Sequence, residues 1–234
     1  FLFVFIAITA IGYSQNNSIY KAAREKTHNL IHTKLKVDFN FEEKKLNGEA
    51  WITAKPHFYA TDLFTLDAKS MLIHEVSLNG KKIDYDYDDY EITLRLPKKY
   101  SKEEVFTVYI KYTARPEKVK EKGSAAITSA KGLYFINADG ADKNKPTQIW
   151  TQGETEGSSC WFPTIDAPNQ KTTQEIYITV PNKYVTLSNG ALISQTKNAE
   201  SRTDYWKMDQ KHAPYLFFMG VGAFEIIEDT YKDI

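Results

Sequence analysis

Apolar and polar residues alternate with a period of two along most of the chain, the spacing that puts successive side chains on opposite faces of a half-buried strand. Leu35, Val37, Phe39 and Phe41 alternate with polar residues, and Ala50, Ile52 and Ala54 resume the pattern after Asn47-Gly48, which reads as a turn. Asp62 to Ala68 is a short strand candidate. Met71 to Leu78 is another, and it runs into Asn79-Gly80, the strongest short hairpin signal. Ile83 to Leu96 reads as one or two returning strands, and Val105 to Tyr112 alternates again. Glu121 to Ala130 is small and polar and reads as a loop. Thr173 to Val180, Tyr184 to Leu187, Leu192-Ile193, Thr203 to Met208 and Leu216 to Glu228 complete the strand set, with Asn189-Gly190 as a turn. Only Ser18 to Lys26 carries a helical pattern, with Ser18 as its cap. The chain is therefore expected to be all-β, a β-sandwich of large, twisted sheets.

Composition narrows the function classes. Thirty Lys and Arg balance thirty Asp and Glu, so the basic surplus that phosphate binding requires is missing and no nucleic-acid partner is expected. Fifteen Tyr, thirteen Phe and 42% hydrophobic residues supply a core and exclude a disordered polymer. The single cysteine, Cys160, excludes a disulfide framework and a Cys-rich zinc ribbon.

The first eleven residues, Phe1 to Ile11, are almost wholly apolar. A membrane span needs roughly 20 such residues, whereas this length suits the apolar region of a signal peptide. Residues 1–14 are read as a signal-peptide remnant cleaved after Ser14, residues 15–29 as a short helical lead-in, and residues 30–234 as one β-sandwich domain. That reading makes the protein exported, to a periplasm, a cell surface or the medium, with a membrane reached only through the signal peptide or an anchor.

Several familiar patterns are incomplete. His28 and His32 have the spacing of two zinc ligands on a helix, but they lead into a strand and enclose no Glu base. His74-Glu75 opens a zinc-peptidase motif that ends in Leu78 instead of a second His. Asp84, Asp86, Asp88 and Asp89 resemble the start of a calcium loop that lacks its Gly and its closing Glu, and they read better as the acidic face of an edge strand. No complete catalytic constellation is present.

Trp150 to Thr173 differs from everything around it. Gln152, Glu154 and Glu156 sit in a Gly-punctuated loop, followed by the turns Trp161-Phe162-Pro163 and Asp166-Ala167-Pro168. Loops of that kind, hung on a sheet, commonly carry binding groups. The stretch resembles the T-Q-x-E … F-P-x-x-D-x-P … K-x-T signature of the zinc aminopeptidases typified by aminopeptidase N and leukotriene hydrolase. Leu30 to Leu35 is similar to that family's first strand, Val76 to Gly80 to its V-x-L-N-G hairpin, and Tyr215 to Ile227 to the close of its N-terminal domain.

The resemblance implies a saddle-shaped β-sandwich of large, twisted mixed sheets that lies against a thermolysin-like catalytic domain, here beyond residue 234. It implies one zinc ion held by that catalytic domain, peptide substrates, and removal of single residues from peptide N-termini. Carried over by position, Glu154 is the carboxylate that holds the substrate's free α-amine, and Gln152 lines the pocket for the first side chain. In a strand the two would share a face. The resemblance gives Glu156 no role; Pro163, Asp166 and Pro168 shape the turn, and Cys160 is a structural thiol. The fragment by itself is expected to be inert. The alternative is a non-catalytic scaffold or binding domain of the same fold. A carbohydrate-binding sandwich would instead need exposed Trp platforms.

Overall fold

The structure is a computed structural model that describes residues 24–120, 130–227 and 229–230. Its strands are β1 (His28–Asn40), β2 (Lys45–Pro56), β3 (Thr61–Asp67), β4 (Met71–Leu78), β5 (Lys81–Lys82), β6 (Tyr85–Tyr87), β7 (Glu91–Tyr100) and β8 (Phe106–Ala114). They continue as β9 (Leu133–Ile136), β10 (Gln148–Thr151), β11 (Thr172–Pro181), β12 (Val185–Ser188), β13 (Ala191–Lys197), β14 (Ser201–His212) and β15 (Met219–Gly222). Among the described residues these strands form three sheets. The largest has the order β13-β14-β11-β1-β2-β8-β4-β5, the second β12-β15-β10-β9 and the third β3-β7-β6. The large sheet is mixed, because β1 and β11 run parallel.

Alternation decides which face is dry. Leu35 and Val37 on β1, Ala50 and Ile52 on β2, Val108 and Ile110 on β8, and Ile176 and Ile178 on β11 are all buried. They form one cluster with Phe64, Leu66, Ile92 and Leu94 from the three-stranded sheet and Ile149, Met219 and Val221 from the four-stranded one. The two small sheets therefore cover the inner face of the large one. Each buried Val, Leu or Ile side chain removes apolar surface worth about 1.5–3 kcal/mol from water. Every all-β element of the expectation has its counterpart.

The turns show where local signals hold. Asn79 and Gly80 both take positive φ, 51° and 75°, as a two-residue hairpin between β4 and β5 requires. Asn47-Gly48, by contrast, is no turn. Both residues lie inside β2, paired with Asp38 and Val37, and the chain reverses earlier, between Asn40 and Lys45. Gly48 is there because the Tyr112 ring of β8 lies on it; a Cβ would sit 2.2 Å from that ring. The buried Tyr112 hydroxyl has no hydrogen-bond partner among the described residues. Tyr112→Phe removes that stranded group at no cost in packing, so it is expected to be neutral or to stabilise the fold by about 1 kcal/mol in denaturant titration. A clear loss would show that the hydroxyl has a partner.

Three other expectations change. The lead-in carries no helix over Arg24 to Thr27, and β1 already begins at His28; the rest of that predicted helix and the signal-peptide remnant lie outside the described residues. Most of the predicted loop, residues 121–129, is outside them too. The closing strand is short. Pro214 to Leu216 forms a 3-10 turn, and pairing ends at Gly222, where the Phe224 ring folds back over the glycine.

The acids of Asp84 to Asp89 go separate ways. Asp86 pairs with Arg95 and Asp89 with Arg115, while Asp88 accepts the backbone N–H groups of Tyr90 and Glu91. They lie around β6, an edge strand of the three-stranded sheet.

Candidate functional site

Gln152 and Glu154 lie just past the end of β10, which stops at Thr151. Strand alternation therefore does not place them, contrary to expectation. A turn does: the Gly157 N–H donates to the Gly153 carbonyl at 2.8 Å, and Glu154, Thr155 and Glu156 are exposed at its tip. The Glu154 N–H donates to Oε1 of Gln152 at 3.3 Å, so the two predicted residues are brought together. Among the described residues the Glu154 carboxylate has no ion-pair partner.

The foot of the turn is tightly held. The Gln152 N–H donates to the Gly132 carbonyl at 2.9 Å, and Ser158 Oγ donates to the Pro214 carbonyl at 2.8 Å. Close approach explains the glycines. A Cβ on Gly153 would lie 2.3 Å from the Tyr215 carbonyl oxygen, and one on Gly132, whose φ is +68°, would lie 1.8 Å from the Gly157 oxygen. Below this foot, Trp161 and Phe162 are fully buried and Phe162 stacks on Phe217 at 5.0 Å. Cys160 is buried, its thiol directed to the Ala130 carbonyl at 3.5 Å.

A second layer of polar groups, which the sequence did not reveal, stands behind the turn. Asp166 Oδ2 accepts the Ser159 N–H at 2.8 Å, while the buried Oδ1 has no partner among the described residues. The Asp166 N–H donates to Asp67 Oδ2 at 2.7 Å, and Asp67 also receives the Arg24 guanidinium at 2.6 Å. Arg24 reaches on to Glu91 at 2.9 Å. These groups line a cleft of about 620 Å³ with Lys69, Glu156 and Asn169.

Burial pushes the Asp166 carboxyl up to about 6; the Ser159 N–H pulls it partly back, and the charge of Asp67 adds to the rise. A folded-state value above the unfolded one means that the native protein holds this proton more tightly between about pH 4 and about pH 6. The stability that this group contributes is present below the unfolded pKa and is lost as pH rises through that window. Asp166→Asn carries no charge at any pH. Its melting temperature relative to the unmodified chain is therefore expected to rise as pH is taken from 4 to 7. A gap that stays constant across the series would contradict the assignment.

Beside the turn, the outer face of the four-stranded sheet is apolar. Trp150 and Leu187 both pair with Gly220 across β15 and so lie in one row, with Tyr134 stacked on Trp150 at 4.4 Å. The Phe218 and Phe224 rings sit over Gly220 and Gly222. Leu187, Leu216 and Phe224 are exposed. Trp161 is wholly buried, so only one of the two tryptophans that flank the loop reaches the surface.

His28 is buried against Phe64, while His32 turns to Thr173 and Glu175. Among the described residues no three His, Cys, Asp or Glu side chains converge as a metal site. These residues do not fit a zinc centre, and no chemical step on them involves one.

The chain and its fold have relatives. The chain is 28% identical over 184 residues to the puromycin-sensitive aminopeptidase of Caenorhabditis elegans, a match covering 74% of this chain and 18% of that protein. It is 25% identical over 157 residues to transcription initiation factor TFIID subunit 2 of Danio rerio, covering 64% of this chain and 12% of that one. Among solved structures, an M1 zinc metallopeptidase from Deinococcus radiodurans superposes with a TM-score of 0.73 at 18% identity, over 85% of this chain and 43% of that one. Yeast LTA4 hydrolase superposes with a TM-score of 0.65 at 18% identity, over 84% and 29%. The chain thus spans less than a fifth of the length of these curated relatives. Residues 25–216 match the peptidase M1 N-terminal domain, and the chain belongs to that family.

Proposed function

We propose that this domain anchors the N-terminal end of a peptide for an exported, zinc-dependent aminopeptidase, with Glu154 taking the free α-ammonium group and Gln152 lining the pocket for the first side chain. The zinc ion and the bond-breaking groups belong to a catalytic domain of the same protein, and this domain alone is inert. One observation carries the reading: the Glu154 carboxylate has no ion-pair partner among the described residues and is presented on a turn whose foot is fixed at both ends. An exopeptidase must measure one residue from a charged terminus. A carboxylate on a rigid mount does this, because ordering it costs little when substrate arrives.

The apolar row of Tyr134, Trp150 and Leu187 supports the second half of the reading. A catalytic domain seated there would bury it and would close the turn into a cleft, where the ammonium–carboxylate pair gains strength as water is excluded. One of the similar structures, a two-domain M1 zinc metallopeptidase, holds L-tryptophan, a ligand with a free α-amine. Export rests on the apolar run of residues 1–11.

The test is substrate discrimination in the complete enzyme. Peptides with a free α-amine are expected to be cleaved, and their N-acetylated forms left intact; equal cleavage would remove the anchoring role. A specific observation keeps the scaffold reading as second choice, the similarity to a transcription-factor subunit. That reading predicts no hydrolysis of either peptide.

A further inference from the structure

The Glu154 turn is tied to the body of the domain through a chain of polar contacts that begins far away in sequence. Arg24 holds Asp67, Asp67 Oδ2 receives the Asp166 N–H, and Asp166 Oδ2 receives the Ser159 N–H. Ser159 Oγ in turn donates to the Glu156 carbonyl at 3.3 Å, and the Lys69 ammonium donates to the same carbonyl at 3.1 Å. The C-terminal leg of the turn is thus held at the Ser159 N–H by Asp166 and at the Glu156 carbonyl by Ser159 and Lys69. We infer that Asp166 is a positioning residue for the Glu154 turn: its carboxylate, seated on Asp67, fixes the Ser159 end of the loop and with it the place at which Glu154 meets its ligand.

The geometry is costly for a purely structural role. Asp166 is 4% exposed, its Oδ1 has no partner among the described residues, and a second carboxylate, Asp67, bonds to its own N–H. A buried acid with one oxygen unpaired weakens a fold, and a neutral residue would serve packing equally well. What the charge supplies is a stronger, more directional bond to a backbone N–H. The groups that face Asp166 across the cleft are Asp67 at the end of β3, Lys69 after it, Arg24 on the lead-in, Glu91 on β7 and Glu156 on the turn. Among the described residues lining the cleft, Lys69 and Arg24 are the cations that favour a charge on Asp166; Arg24 is engaged by Asp67 and Glu91, and Lys69 by the Glu156 carbonyl. Burial and Asp67 together push the carboxyl to about 6, so the clamp weakens under mild acid.

The clamp can be tested on this chain without any activity. Amide exchange of residues 153–159, corrected for the intrinsic pH dependence, is read between pH 5 and pH 8 in the unmodified chain and in Asp166→Asn. Protection of the Ser159 amide is expected to fall at least several-fold as pH drops through 6 in the unmodified chain. In the variant it is expected to be low throughout, although the variant melts no earlier at neutral pH. Protection that is equal in both and flat with pH would overturn the inference. Should the variant fail to fold, the pH series on the unmodified chain decides alone.

The consequence for catalysis rests on the proposed aminopeptidase reading. In the complete enzyme, Asp166→Asn is expected to raise KM for free-amine peptides several-fold with a smaller change in kcat, and to remove an acid limb near pH 6. If Glu154→Ala leaves activity unchanged, the amine-anchoring reading fails, and the exchange result still judges the clamp. If Glu154→Ala is impaired while Asp166→Asn matches the unmodified enzyme at every pH, it is the positioning role that fails.

Discussion

Glu154→Ala in the complete enzyme is expected to lower kcat/KM for peptides with a free amino terminus by about 30- to 4,000-fold. The range follows from the ~2–5 kcal/mol lost when one side of a desolvated charge pair is removed, at tenfold per 1.4 kcal/mol. Most of that loss is the stranded ammonium, which must enter the cleft with no counter-charge. The fold should not notice. Glu154 is exposed and has no ion-pair partner among the described residues, so the melting temperature of this chain should move by no more than a surface substitution usually moves it. Loss of activity with an intact fold separates a binding group from a structural one. A near-normal kcat/KM would remove Glu154 from the site.

The second large effect is on the mount. Gly132→Ala is expected to cost about 2–5 kcal/mol, one part from a left-handed backbone that disfavours Cβ and one from overlap with the Gly157 oxygen. Gly80→Ala provides the comparison, because Gly80 has a φ of +75° but nothing within 4 Å of its would-be Cβ. It should cost only the backbone share, about 1–2 kcal/mol. Urea midpoints of the two variants measure the difference. If the two losses are equal, the close approach of Gly132 to the turn contributes nothing. Since Gly132 also accepts the Gln152 N–H, any adjustment that relieves the clash also displaces the predicted pocket residue.

Period-two alternation found most of the large sheet because one face of it is dry along whole strands, as in β2 and β11. It missed β9, whose Leu133, Tyr134, Phe135 and Ile136 are all apolar and so show no alternation, and it missed β10, four residues with two adjacent apolar side chains. Asn-Gly was a sound signal at Asn79-Gly80 and a false one at Asn47-Gly48, where the second residue is small to admit a tyrosine from another strand. Such a demand comes from tertiary contact and leaves no local mark. The closing strand was overextended for a similar reason: Phe224 is apolar because it covers Gly222, not because it continues the ladder.

Glu154 and Gln152 were legible only as members of a motif. Their nearness comes from a hydrogen-bonded turn, and the strand geometry offered for it does not exist there. The clamp behind them was not legible at all. Its bonds join Asp166 to Asp67 across 99 positions and Asp67 to Arg24 across 43, and a D-x-P sequence reads equally well as an ordinary turn. The stranded Oδ1 becomes visible only once the surrounding side chains are in place.

The central claim is that Glu154 pairs with an α-ammonium group, and inhibition by an amino acid and by its des-amino analogue tests it most directly. Both are measured against the complete enzyme and its Glu154→Gln variant, so that the coupling between the two groups is isolated. The account predicts that the unmodified enzyme favours the amino acid by more than about tenfold and that the variant loses most of this preference. An undiminished preference in the variant would show that the amine is held elsewhere and would contradict it.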